Sequence, residues 1–188
     1  RVGEFSDEDL IPNEPTVITI TDKGYIKRQS MNSFRVQHRG GKGVMGISTK
    51  ETDAVSHIFY TETHANILFF TDKGRVFQIK VWEIPETQRV AKGQAVVNLI
   101  NIEGEEKVTA VLPIKYKKAA PYLFMCTQKG TVKKTPLLEY ANIRKNGLVA
   151  IKLDSDDFLG WVTPTTGKDD LIIVSHCGKS IRISEKQV

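Results

Sequence analysis

The 188 residues include 27 Lys and Arg against 22 Asp and Glu, with 40% hydrophobic and 8% aromatic side chains, the make-up of a folded domain and not of a disordered tail. The longest apolar clusters, Ile67–Phe70 and Leu171–Val174, fall far short of the roughly 18 residues of a membrane-spanning helix, so no membrane segment is expected. Cys126 and Cys177 lack CxxC spacing, which excludes a disulfide scaffold and a thiolate zinc site and fits a reducing cytoplasm. With Arg1 in place of an initiating Met and no apolar leader, the chain reads as a piece of a longer polypeptide.

An acidic lead-in comes first. Residues 1–14 carry a net charge of −4 and residues 15–188 a net +9, and Ser6–Leu10 is expected to start one helical turn. A basic body behind an acidic stretch points to a polyanion-binding domain whose lead-in competes with the polyanion. A solvated surface of mixed charge fits the same counts.

Four copies of one pattern follow: Val17–Lys27, Ile67–Phe77, Leu123–Lys133 and Ile172–Arg182. Each is an apolar β-rich run, a polar turn with Gly, and an apolar residue flanked by polar or basic ones. The turns read Thr21-Asp22-Lys23-Gly24, Thr71-Asp72-Lys73-Gly74, Thr127-Gln128-Lys129-Gly130 and the longer Ser175-His176-Cys177-Gly178-Lys179. Asp or Gln bonds back to the backbone and Gly supplies φ > 0, so each is expected to be a hairpin with a loop of three to five residues. A second glycine recurs 17–19 residues after the first three turn glycines, at Gly43, Gly93 and Gly147. Strand-like residues follow it (Val44–Ile47, Gln94–Ile100, Leu148–Ile151), and further apolar runs come at Asp53–Ile58 and Lys107–Leu112.

Each unit therefore has about four strands. With turn glycines 50, 56 and 48 residues apart, the period indicates an all-β, propeller-like array of four-stranded blades, about four of them represented. The units lie near 15–66, 67–122, 123–171 and, in part, 172–188.

One heptad stands outside the pattern: Gln37-His38-Arg39-Gly40-Gly41-Lys42-Gly43. Its glycines let the backbone approach a phosphate while Arg39 and Lys42 supply charge; a flexible turn between blades has the same composition. It is not a P-loop, since GxxxxGK[ST] is absent. His38, His57, His64 and His176 have no metal-ligand spacing, and no GxSxG elbow occurs. Cys126 reads as core, and Cys177, beside Lys179, as a moderately reactive thiol. Trp82 and Trp161 are expected to pack between blades. The pairs Glu105-Glu106, Asp156-Asp157 and Asp169-Asp170 read as solvated turns and not as a Mg²⁺ site.

The heptad, in the first of several near-50-residue all-β repeats behind an acidic lead-in, resembles the gyrase-A box of the C-terminal domains of bacterial DNA gyrase A proteins, where Arg usually stands in place of His38. The resemblance covers nearly the whole chain, including the hairpins at Thr71–Gly74 and Thr127–Gly130. It implies a β-pinwheel, a propeller-like disc with swapped strands, usually of six blades, whose basic rim wraps duplex DNA. It further implies that the box makes wrapping chiral and so supports ATP-driven negative supercoiling by the parent gyrase. Implied partners are DNA, the remainder of the gyrase A protein and the gyrase B protein. By the same resemblance this chain is not an enzyme by itself and holds no metal or cofactor, ATP and Mg being used elsewhere, and its setting is cytoplasmic and nucleoid-associated. The runner-up within the class is the C-terminal domain of topoisomerase IV, which lacks an intact box. From another class, a propeller acting as a protein-interaction platform would bind acidic proteins.

The repeats also suggest where a DNA-binding rim lies. After the apolar anchors Ile26, Val76, Val132 and Ile181, strand alternation turns Lys27, Phe77, Lys133 and Arg182 to the opposite face. Together with Arg28, Arg35, Arg75, Lys80, Lys129, Lys134, Arg144, Lys145 and Lys179, these cations are the candidate rim. Neutralising about 6 phosphates would give log K against log salt a slope near −5.

Overall fold

The structure is a computed structural model that describes residues 7–34, 53–88, 90–116, 120–144 and 146–188. Gln37–Gly43, Arg35 and Lys145 lie outside the described residues. The lead-in holds one helical turn, α1 (Asp7–Leu10), as its sequence suggests. Among the described residues the regular elements after it are strands and short 3-10 turns, in agreement with the all-β, bladed reading.

The chain divides into two compact units, 1–67 with 79–101, and 68–78 with 102–188. The first contains the sheet β3-β1-β2-β6, built from β1 (Pro15–Thr21), β2 (Tyr25–Ser30), β3 (Val55–Glu62) and β6 (Gln94–Ala95). Strand β3 returns antiparallel to β1, Ile18 facing Phe59. Strand β6 arrives from the next repeat and pairs Gln94 with Ile26 on the free edge of β2. Ile18, Ile20, Ile26, Val81, Ile84 and Val96 are buried in this unit.

The second sheet repeats the plan with β4 (Asn66–Thr71), β5 (Arg75–Lys80), β7 (Val108–Ile114) and β10 (Leu148–Val149), in the order β10-β5-β4-β7. Here β10, again from the next repeat, pairs Leu148 with Val76. The third sheet is β11-β8-β9, from β8 (Tyr122–Thr127), β9 (Val132–Pro136) and β11 (Leu159–Thr165), and the fourth is the hairpin β12 (Asp170–Val174) with β13 (Ser180–Ser184). In the second unit Leu68, Phe70, Leu123, Met125, Tyr140 and Leu159 lie in one core cluster.

Among the described residues the second and third repeats each supply four strands but share them between two sheets, and the second glycine explains how. Gly93 has φ +89°, and a Cβ there would stand 2.4 Å from the Ile26 carbonyl oxygen; at Gly147, φ +76°, it would stand 2.7 Å from the Phe77 ring. A side chain would push the incoming segment off the hairpin it completes, so the position requires glycine on two counts. The exchanged strands are only two residues long, shorter than the apolar runs after Gly93 and Gly147 suggest; after β6 the chain already turns into a 3-10 helix at Val96–Asn98.

Candidate nucleic-acid interface

The hairpin turns hold their lysines in a repeated frame. The glycines Gly24, Gly74, Gly130 and Gly178 all have positive φ and donate their N–H to the carbonyls of Thr21, Thr71, Thr127 and Ser175 at 2.9–3.0 Å. The same residues accept a second bond on their hydroxyls, from the N–H groups of Tyr25, Arg75, Thr131 and Lys179. A carboxylate from the returning chain then caps two of the turns, with Asp53 Oδ1 accepting from Lys23 N at 3.1 Å and Asp157 Oδ1 from Lys129 N at 3.0 Å. At the second turn the direction reverses, and Asp72 Oδ1 accepts from Lys107 N at 2.9 Å.

These bonds correct the reading of two acid pairs as solvated turns. Glu105 and Asp156 are exposed, but Glu106 and Asp157 are buried. Glu106 accepts from the Thr71 hydroxyl and from Arg75 Nη1, the latter at 3.0 Å. Burial works against the charge on Asp157, but bonds from the Thr127 hydroxyl and from the N–H groups of Lys129 and Phe158, with the Lys129 ammonium nearby, outweigh it and hold the carboxyl below the usual range. Asp169 is half-buried, and Asp170 pairs with Arg182 at the surface. Among the described residues no group of three or more His, Cys, Asp or Glu is placed to hold a metal ion.

The candidate rim cations fall into two sets. In the engaged set, Lys27 is fully buried and donates from Nζ to the Ala91 carbonyl at 3.0 Å, and burial lowers its ammonium pKa. The incoming Gly93 segment lies against Lys27, which is why alternation alone mislocates it; Phe77 at the same step is buried under Gly147. Lys27 is therefore withdrawn from the rim. Arg28 donates to the Ile84 carbonyl and pairs with Glu86 at 3.1 Å. Arg75 is held by Glu106, by Glu103 at 3.3 Å and by the Asn146 carbonyl at 2.9 Å. Lys134 donates to the Glu185 carbonyl and sits 5.5 Å from the Tyr122 ring centre. Lys80 lies 3.5 Å from Glu8 and 5.0 Å from the Trp82 ring centre.

Lys129, Lys133, Arg144, Lys179 and Arg182 form the exposed set, all in the second unit. Their contacts leave the charge at the surface: Lys129 Nζ reaches the Ser155 carbonyl at 3.2 Å, Lys133 Nζ the Ala150 carbonyl at 2.5 Å, and Arg182 the Asp170 carboxylate. Lys23 and Lys73 are equally exposed at their turns. Strand alternation does not single them out, although the Lys-Gly step they share with Lys129 is a signal for them.

Cys126 is buried and Cys177 exposed, both as free thiols, and burial, with the Asp157 charge, pushes the Cys126 thiol up. His57 stacks on Phe59 at 5.7 Å, and Trp82 meets His64 edge to face at 5.4 Å. Trp161 is 63% exposed on β11, so the expected packing between blades does not hold for it. No helix among the described residues is long and apolar enough to cross a membrane.

A repeated hairpin, a return strand and a short strand handed back across a glycine define an all-β module of the propeller class. Residues 15–62, 65–115, 121–165 and 169–188 match the model of the DNA gyrase C-terminal domain, beta-propeller. The chain belongs to that family. It is 50% identical over 181 residues to the DNA gyrase A protein of Clostridium acetobutylicum, covering 96% of this chain and 22% of that protein. Against the DNA gyrase A protein of Mycobacterium tuberculosis the identity is 46% over 183 residues, covering 97% of this chain and again 22% of the relative. The chain therefore spans about a fifth of the length of the curated relatives it matches. Among solved structures, the C-terminal domain of DNA topoisomerase IV superposes with a TM-score of 0.80 at 30% identity, over 95% of this chain and 54% of that one. A DNA gyrase A C-terminal domain superposes with a TM-score of 0.66 at 24% identity, over 93% and 56% of the two chains.

Proposed function

We propose that this chain binds duplex DNA without sequence preference and wraps it, supporting negative supercoiling by a parent gyrase whose bond-breaking chemistry and ATP use lie elsewhere. The observation that carries this reading is the set of exposed cations, Lys129, Lys133, Arg144, Lys179 and Arg182, on a family member whose residues 15–188 have a net +9 charge. Phosphate contacts of this kind are sequence-independent and salt-sensitive. Bending 20–30 base pairs by 40–90° costs about 1–6 kcal/mol, more than one loop offsets, so the box at Gln37–Gly43 acts together with the exposed cations. Sequence preference then reflects DNA deformability, since no helix among the described residues is available to enter the major groove. In this reading the partners are DNA, the remainder of the gyrase A protein and the gyrase B protein. The setting is the bacterial cytoplasm at the nucleoid, and the chain has no cofactor of its own.

The topoisomerase IV likeness favours a second reading, DNA binding without chiral wrapping. Relaxation of DNA circles in the presence of the chain separates the two. Wrapping shifts the linking number, and Arg39→Ala with Lys42→Ala abolishes most of that shift while linear DNA still binds. An unshifted linking number with bound DNA would favour the topoisomerase IV-like reading.

A further inference from the structure

In the first unit the lead-in is fastened to the turn between β3 and β4 by backbone-directed bonds. Thr63 N donates to the Glu14 carbonyl at 3.0 Å, the Thr63 hydroxyl to the Pro12 carbonyl at 2.7 Å, and His64 N to Asn13 Oδ1 at 3.2 Å. Asn13 Nδ2 in turn donates to Glu62 Oε2 at 3.1 Å. This seating brings the Glu8 carboxylate to 3.5 Å from Lys80 Nζ and 3.8 Å from His64 Nδ1, with Lys80 and His64 both packed on Trp82. His64 Nε2 is 2.6 Å from the Ile11 carbonyl, which can only accept, so in a neutral ring the proton sits on Nε2 and Nδ1 offers Glu8 a lone pair. Lys80 therefore supplies the attraction. The side chains of Glu8, Lys80 and His64 retain 45%, 32% and 26% of their exposure, so the cluster is open to solvent.

We infer that Lys80, held over Trp82, is an anion subsite that Glu8 of the lead-in occupies, and that a DNA phosphate takes the same place by displacing Glu8. The inference rests on the DNA-binding reading and gives the acidic lead-in one residue through which it competes. Exposed ion pairs of this length are weak, so displacement is easy and the effect modest. The contact is a brake on binding at low salt and not a lock.

Hydrogen exchange of the chain with and without a linear duplex, read at residues 7–14, tests this directly, alongside duplex affinities of Glu8→Gln, Lys80→Gln and the double variant. Exchange at Asp7–Ile11 is expected to rise when duplex is added. Glu8→Gln is expected to tighten binding about two- to fivefold at low salt, and this gain is expected to vanish in the Lys80→Gln background. Unchanged or slowed exchange on DNA addition, or a gain that survives Lys80→Gln, would overturn the subsite while the wild-type chain still bound DNA. If the wild-type chain bound no duplex, the functional reading itself would have failed. In that case, equal exchange at Asp7–Ile11 in wild type and Glu8→Gln would also overturn the Glu8 contact.

Discussion

The first two hairpins and the last two follow the same pattern and end in different surroundings. On β2 and β5 the step after the apolar anchor is covered, Lys27 beneath Gly93 and Phe77 beneath Gly147. On β9 and β13 that step, Lys133 and Arg182, is exposed, and among the described residues no third strand pairs with β13 or with the second edge of β9. Strand β4 is buried on both faces, whereas β12 leaves Ile172 and Val174 at 69% and 64% exposure. Whether a lysine on this module meets solvent or serves as packing is thus decided by the strand handed over from another repeat.

The sharpest way to break that comparison is at the glycines. Gly93→Ala and Gly147→Ala combine a left-handed backbone with a Cβ in contact with a carbonyl or a ring, and each is expected to cost about 2–4 kcal/mol. Gly24→Ala and Gly130→Ala meet nothing within 4 Å and lose only the backbone preference, about 1 kcal/mol. Urea midpoints check this, and equal losses at all four sites would remove the special role of the handed-over strand.

Arg75→Ala comes next. It leaves Glu106, with 2% side-chain exposure, without its cation, an expected loss of about 2–3 kcal/mol, while the slope of DNA affinity against salt stays unchanged. Acid then probes the Asp157 cap. Because the folded state holds Asp157 below its usual pKa, its contribution is complete above the ordinary carboxylate range and is lost as pH falls from that range through the lower folded value. Asp157→Asn is expected to lower stability at neutral pH and to flatten the acid limb of a pH–stability curve. Arg182→Ala has the smallest effect on folding, below about 0.5 kcal/mol, because its pair with Asp170 is exposed. It is expected to lower DNA affinity and to make the salt slope shallower by about 0.9.

The hairpins, their turn glycines and the helical turn at Asp7–Leu10 were readable from local chemistry, because a loop of three to five residues with a left-handed Gly is specified within a few residues. The glycines at 93 and 147 were visible as a recurrence, but their partners were not. Nothing near Gly147 in sequence announces Phe77. The same long-range pairing hid the burial of Lys27, and the capture of Arg75 by Glu106 spans 31 residues. Alternation sorts side chains between faces without saying which face a later strand will cover. The exposed cations at Lys129 and Lys179 were legible because they sit in the hairpin turns, whose conformation a few neighbouring residues specify.

The most direct test is the salt dependence of duplex affinity for the wild-type chain and for a variant with Lys129, Lys133, Arg144, Lys179 and Arg182 replaced by Gln. If these five meet phosphates, the wild-type slope of log K against log salt is steeper than that of the variant by about 4–5. Equal slopes would show that the exposed cations do not carry the contact.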